Sequence, residues 1–322
     1  MSTTQTVLEI LYDNKDKFVS SDFLCSKTKI SRIAIWQHVK KLKNAGYLIE
    51  AKRGVGYKLI QKPPDLLNNF EVNKLVQKNK AINQVYFFES TTSTMDEAKK
   101  ILENNKNLAH KALIVSLNQT QGRGRKSRHW LSFGNNIYAS YIYLPQKLNP
   151  QDGLLVMFAS CIAVVLALND INIKVKIKWP NDCLVNDKKI CGVLVDIKSD
   201  MSLIEEIVIG FGVNVNWEQI PDEINATSVY ELKKKTTDRL WLLDKIMYYL
   251  SALIKLIEKG YKKNILNLWR LYQITLDRQV EIVSIDKKIY GTAKQIDELG
   301  FLLVETKNGI EKILTCDSLR FL

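Results

Sequence analysis

The sequence Lys62-Pro63-Pro64-Asp65 can continue neither a helix nor a strand, because two successive prolines lack backbone donors and fix their own φ. In a chain of 322 residues it separates a short N-terminal piece from a long remainder. The two pieces differ in charge. Residues 1–62 hold 12 Lys and Arg against 5 Asp and Glu, a net +7 out of +13 for the whole chain. That imbalance predicts a separate basic module, followed by a short stiff linker at 63–69. The remainder is long for one core and is expected to divide again, into 70–274 and 275–322.

Inside the module the apolar spacing is helical three times. Val7, Leu8, Ile10 and Leu11 mark a first helix over 3–14. Ser20 or Ser21 can cap a short second helix with Phe23 and Leu24 on its inner face. Ser31 can cap a longer third, whose Ile35, Val39 and Leu42 recur at i, i+4 and i+7 and which stops at Gly46. Tyr47–Glu50 and Tyr57–Ile60 read as strands around the tip Lys52-Arg53-Gly54. Three helices and a hairpin are the order of a winged helix-turn-helix. As a DNA-binding domain it would bring Ser31, Arg32, Ile35, Gln37, His38 and Lys41 to base edges or phosphates, and Lys52 and Arg53 to the phosphate backbone. The bland alternative is a protein-interaction module with a solvated basic face; charge, capped helices and wing together favour DNA. Trp36 reads as a packing residue rather than a base stacker.

The rest of the composition narrows the setting. Cys25, Cys161, Cys183, Cys191 and Cys316 are odd in number, scattered, and form no C-x-x-C pair. With no secretory pattern at the first residues, a reduced cytoplasmic protein is expected. His38, His110 and His129 lie far apart, which speaks against a protein zinc site. The run Leu154–Leu168 is too short for a bilayer and reads as a buried helix, so no membrane partner is expected.

Beyond the linker, residues 85–90 read as a strand, and Ser93-Thr94-Met95-Asp96-Glu97 opens an amphipathic helix with an acid-rich first turn. Residues 111–119 and 135–145 are strand-like, 173–179 alternate as a half-exposed strand, and 183–197 suggest a hairpin around Asn186–Lys188. A strand at 205–216 and helical periodicity over 239–268 follow. From Asp277, four short strands (279–285, 289–296, 301–307 and 311–317) suggest a small β-barrel.

Between two of these strands lies QTQGRGRKSRHW, Gln119 to Trp130, with Arg123, Arg125, Lys126 and Arg128. By itself it is a nucleic-acid patch, a solvated turn or an anion cradle. Gly122 and Gly124 permit close backbone approach and a mobile loop. Arg123 and Arg125 can clamp carboxylate or phosphate oxygens in a bidentate way. Trp130 can stack on a base or anchor the loop, and anchoring is favoured. Lys188 and Lys189, read from spacing alone, belong to an ordinary exposed turn.

QTQGRGRKSRHW, then KWPNDCLVNDKKICGVLVD, then IGFGVNVN, with STM at 93–95 in FESTTSTMDEAK, closely resembles the biotin–protein ligase family over 70–322. With a winged helix in front, the chain is similar to bifunctional members that join a biotin–protein ligase to a biotin operon repressor. The resemblance implies an α+β multidomain protein: winged helix, then a class II synthetase-like (biotin-ligase-like) α/β domain on a mixed sheet, then an SH3-like barrel. It implies that biotin and ATP form biotinyl-5′-AMP, and that biotin passes to a lysine of a carrier, the biotin carboxyl carrier protein of acetyl-CoA carboxylase. The adenylate would serve as corepressor and favour a homodimer on operator DNA.

By the same resemblance, Arg123, Arg125 and Lys189 carry the chemistry. Biotin would lie among Ser93, Thr94, Met95, Gln119, Gly122, Arg123, Gly124, Arg125, Lys189 and Gly192. ATP and the adenylate would meet Arg125, Arg128, Trp130, Asn181, Asp182 and Asn214, with Asp182 holding Mg²⁺ through water. Lys188 takes no such role. Met95 departs from the family's frequent asparagine and removes a polar contact. The rival readings are a lipoate–protein ligase, which shares the architecture, and a ligand-sensing transcription factor without ligase activity.

Overall fold

The computed structural model describes residues 2–284 and 287–322. The chain divides into two compact units, Met1–Glu71 and Val72–Leu322. In the first, α1 (Thr3–Asp13), α2 (Ser21–Thr28) and α3 (Arg32–Asn44) precede a hairpin of β1 (Leu48–Lys52) and β2 (Gly56–Gln61). Ser20 Oγ accepts from Phe23 N at 3.1 Å and Ser31 Oγ from Ala34 N at 3.2 Å, which starts each helix at its expected cap. Leu8, Leu11, Leu24, Ile35, Val39 and Leu42 form the core with Tyr47, Ile49 and Leu59.

Two side chains depart from expectation. Phe23 is 44% exposed, since only Leu24 of its pair faces inward, and Trp36 is exposed rather than packed. The segment expected to be a bare linker also gains structure, because α4 (Asn69–Lys78) begins within it. Glu71, at its start, is buried and accepts hydrogen bonds from Tyr12 Oη at 3.1 Å and Tyr47 Oη at 2.5 Å, with Lys62 Nζ at 3.2 Å. Burial and this carboxylate push both phenols above their ordinary pKa.

The second unit centres on a seven-stranded mixed sheet. In chain order it comprises β3 (Gln84–Phe88), β4 (Ala112–Ser116), β5 (Asn135–Tyr143), β6 (Lys176–Lys178), β7 (Asp182–Val185), β8 (Lys188–Ser199) and β9 (Ile204–Asn216). Their spatial order is β3-β4-β5-β9-β8-β7-β6, with only β3 and β4 parallel. The β7–β8 turn uses Asn186 and Asp187, both at positive φ, as a two-residue hairpin of this hand requires. Helix α5 (Thr94–Asn104) packs on β4, β5 and β9, and short α6 (Lys106–Ala109) follows it.

Helix α7 (Gly153–Asn169) packs against β6, β7 and β8. Pro150–Asn169 is long and apolar enough for a membrane span by composition, but most of it is buried within this unit. After short α8 (Val229–Lys233), the stretch read as one helical region is two, α9 (Arg239–Glu258) and α10 (Lys262–Tyr272), broken at Gly260 where φ is +84°. Alternation correctly buries Ile173, Val175, Ile177 and Trp179, yet only the middle of that stretch pairs as a strand.

The chain ends in β10 (Gln279–Val283), β11 (Lys288–Ile296), β12 (Leu302–Thr306), β13 (Gly309–Ile313) and β14 (Ser318–Phe321). These form a five-stranded antiparallel sheet in the order β13-β12-β11-β10-β14. Where four strands were expected there are five, because β14 forms from the last residues. Ile285, the expected end of the first, lies outside the described residues.

Gly54 and Gly56 on the wing separate two effects of glycine. Both have positive φ, but a Cβ at Gly54 meets nothing within 4 Å, whereas one at Gly56 would overlap the Val19 carbonyl. Gly54→Ala should therefore cost only the left-handed strain, about 1 kcal/mol. Gly56→Ala should cost clearly more, because backbone must also move; urea unfolding of the two variants followed by circular dichroism measures the difference.

Candidate functional site

The basic loop is a small structure of its own. Gly124 N donates to Arg128 O at 2.7 Å and Trp130 N to Gly122 O at 2.8 Å, so the loop folds back as a hairpin around a turn at Arg125–Ser127. Neither glycine has positive φ. A Cβ at Gly122 would lie 2.5 Å from Trp130 O, so this glycine serves the close pairing within the loop. Gly122 does not line the cavity below.

That cavity, of about 430 Å³, opens between α5, the loop, the sheet and the C-terminal strands. Its floor is glycine. Gly192 and Gly212 face each other on β8 and β9, and the Trp130 indole lies across both, leaving no room for a Cβ at either. Beside them, Met95 Sδ lies against Gly210. One end is lined by buried Ser93 and Thr94. Thr94 N and Oγ1 donate to Gln119 Oε1 at 2.9 and 3.2 Å, Ser140 Oγ donates to Thr94 Oγ1 at 2.8 Å, and Gln119 Nε2 donates to Ser132 Oγ at 3.2 Å. Ser93 Oγ also caps α5, accepting from Met95 N at 3.3 Å.

The other end is cationic. Lys189 Nζ lies 2.6 Å from Asp182 Oδ1 and 5.3 Å from the Trp130 ring. Arg125 donates to Asn181 Oδ1 at 3.2 Å and to Cys316 O at 3.2 Å, and Arg128 to Asp317 O at 2.6 Å. Asn181 is fixed in turn by its donation to Val193 O at 2.6 Å. Arg123 lines the cavity while its guanidinium pairs with Asp96 at 2.8 Å. Asn214 is buried outside the lining. Its Nδ2 donates to Lys189 O at 3.3 Å and Thr227 O at 3.1 Å, so it positions the lysine's backbone.

Some groups had no sequence signal. Lys178 and Arg320 join the cationic wall, and Cys316–Arg320 bring the last strand into it. Burial pulls the Lys178 ammonium below its ordinary pKa, Lys189 adds to this, and Asp182 opposes it. The scattered cysteines also meet: Cys183 and Cys191 are cross-strand partners and Cys161 of α7 lies beside them, all buried on the sheet face opposite the glycines. Among the described residues no three His, Cys, Asp or Glu side chains are placed to hold a metal.

In the first unit Arg32, Gln37, Lys41, Lys52 and Arg53 are exposed. Arg32 pairs with Asp22 at 2.5 Å, and His38 is partly buried with Nδ1 2.8 Å from Thr4 Oγ1. Ser31 is spent as a cap. Ile35 is fully buried in the core and cannot reach a base, which corrects that assignment.

A winged helix in one unit, and in the other a cavity that joins an apolar, amide-lined end to a cationic end, define a DNA-binding protein that handles a small carboxylate and a phosphate. The profile of the Biotin/lipoate A/B protein ligase family matches 87–214, that of an HTH domain 3–58, and that of the biotin protein ligase C-terminal domain 275–317. The Bacillus spizizenii bifunctional ligase/repressor BirA is 32% identical over 97% of this chain and 96% of its own length. The Salmonella typhimurium protein of that name is 31% identical over 95% and 93%. The biotin protein ligase of Aquifex aeolicus in complex with biotin and ATP superposes with a TM-score of 0.62 at 29% identity, covering 75% of this chain and all of that one. The chain belongs to the biotin protein ligase family, among its bifunctional ligase/repressor members.

Removing the Asn214 amide takes its donor from the buried Thr227 carbonyl, while Lys189 O keeps Thr227 N at 2.9 Å. Asn214→Ala should lower stability by about 1–3 kcal/mol, read by urea unfolding.

Proposed function

We propose that the protein activates biotin with ATP and transfers it to a carrier-protein lysine, and that biotinyl-5′-AMP makes it a repressor of biotin genes. The observation carrying the ligase reading is the meeting, in one cavity, of the Thr94–Gln119 amide end with the Lys189–Arg125 cationic end. The ureido ring of biotin suits Ser93, Thr94 and Gln119, and its thiophane and valeryl chain suit Met95 and the glycine floor.

Chemistry then falls where the cations are. A biotin carboxylate oxygen attacks the α-phosphorus of ATP, a P–O bond forms, and pyrophosphate leaves. Two anions must approach, so Arg125, Lys189 and Arg128 offset the charge that grows on the non-bridging and leaving oxygens. Mg²⁺, held through phosphate oxygens and water near Asp182, supplies further neutralisation when bound. Lys189 can move from Asp182 to the new anion without leaving the cavity. In the second step the carrier's lysine amine attacks the acyl carbon, AMP departs with the C–O bond, and the amine loses a proton. The carrier that fits this chemistry is the biotin carboxyl carrier protein of acetyl-CoA carboxylase. The protein would work in the cytoplasm, where its five cysteines stay reduced.

The repressor half rests on the basic winged helix. A homodimer, favoured by the adenylate, would place two such units on a two-fold operator. Lys189→Ala and Arg125→Ala should each lower biotin-dependent ATP–pyrophosphate exchange by about 10²–10³-fold, and lipoate in place of biotin should give no exchange with the parent enzyme. Unchanged exchange by Lys189→Ala would remove that lysine from the chemistry, and absence of carrier biotinylation by the parent protein, followed by mass spectrometry, would return the chain to a ligand sensor.

A further inference from the structure

On α3, the stripe Ile35, Val39 and Leu42 is buried, and successive residues turn by about 100°. The opposite face carries Ile33, Trp36, Gln37 and Lys40. Ile33 is 72% exposed and Trp36 53%, although both are large and apolar and the helix is otherwise basic. Lys40 Nζ lies 5.3 Å from the Trp36 ring centroid, a cation–π spacing one helical turn along. No core role accounts for this face, because α1, α2 and the wing meet the helix on its other side.

We infer that this face reads A·T base pairs in the major groove: Ile33 and Trp36 pack on thymine methyl groups, Gln37 binds an adenine edge, and Lys40 takes a phosphate. The inference rests on the repressor reading above. Three observations carry it. The apolar pair lies in the first half of Arg32–Asn44, the part of a recognition helix that enters the groove. Of the groups a major groove offers, only the thymine methyl is apolar, so exposed Ile and Trp suit it, while a Gln amide matches adenine N6 and N7. The surrounding charge, net +7 over 1–62 with Lys40, Lys41 and Lys43 on this helix and Lys52 and Arg53 at the wing, complements a polyanion rather than an apolar protein partner. Sequence would thus be read by Ile33, Trp36 and Gln37, while the wing binds every duplex alike.

The test uses the full chain with biotin and ATP. The parent protein first selects sites from a randomised duplex pool, and affinities for the selected duplex follow from fluorescence anisotropy. Ile33→Ala, Trp36→Ala and Gln37→Ala should each weaken that duplex about 5–150-fold yet leave a scrambled duplex unaffected. Lys52→Ala and Arg53→Ala should weaken both duplexes together and flatten the salt dependence by about one unit each. Replacing thymines with deoxyuridine, which lacks only the methyl, should weaken the parent at one or two positions to which Ile33→Ala or Trp36→Ala is indifferent. Because these side chains are exposed, unchanged melting temperatures are expected and exclude misfolding. If the parent ignores every methyl, or the variants select the same sites with the parent's affinity, the inference is wrong. If the parent enriches no sequence, the repressor reading falls with it.

Discussion

Like charge crowded into one cavity is the constraint on which the second unit depends. Arg125, Arg128, Lys178, Lys189 and Arg320 share its walls. Two unit charges 4 Å apart repel by about 4 kcal/mol at the effective dielectric of a protein surface. The fold holds them with stand-ins for anions: Asp182 for Lys189, Asp317 for Lys126, and the carbonyls of Cys316 and Asp317 for the two arginines. This explains why a small C-terminal sheet belongs to the site. Without the strand entrance at Cys316–Arg320, the basic loop would lose the acceptors that hold its arginines over the sheet. A carboxylate or a phosphate would offer these cations the same kind of oxygen with more charge.

The glycine floor follows from the same need for proximity. β8 and β9 are paired strands in a buried sheet, where side chains normally stand above the surface. At Gly192 and Gly212 there is none, and the Trp130 indole descends into the gap. The loop is thereby anchored to the sheet at one end and to Cys316 and Asp317 at the other, which fixes Arg125 and Arg128 between two supports. Among the described residues Trp130 Nε1 is buried without a hydrogen-bond partner, so the indole is held there by packing.

Sequence made much of this legible, where local chemistry decided. The Ser20 and Ser31 caps, the stripe of Ile35, Val39 and Leu42, and the alternation from Ile173 to Trp179 each follow from one element's own period. The order of motifs named the family, and most of the site residues it implied line the cavity. What stayed hidden was decided by tertiary neighbours. Nothing in the sequence distinguishes Lys178 or Arg320 from solvated cations, because their roles arise when β6 and β14 meet over Asp182. Asn214 carries the right residue type for a ligand contact, yet the neighbouring carbonyls of Lys189 and Thr227 claim its amide. Cys161, Cys183 and Cys191 look unrelated until a helix packs on a hairpin. Trp36 was misread because apolar character usually signals burial, and the exception marks a surface with its own use.

The two units therefore spend positive charge in different ways. In the cavity Arg125, Lys178 and Lys189 are half-buried, with Arg125 and Lys189 already paired, so bulk salt screens them weakly and their effect is aimed at a few oxygens. On the first unit Lys40, Lys41, Lys43, Lys52 and Arg53 are exposed, and they attract a polyanion by releasing its counterions, a force that is broad in space and steeply salt-dependent. Such a force cannot choose a sequence. Choice has to come from side chains that make short-range, directional or steric contact with base edges, and on α3 the outward face of Ile33, Trp36 and Gln37 has that freedom, since the inward face is consumed in holding the helix on its module.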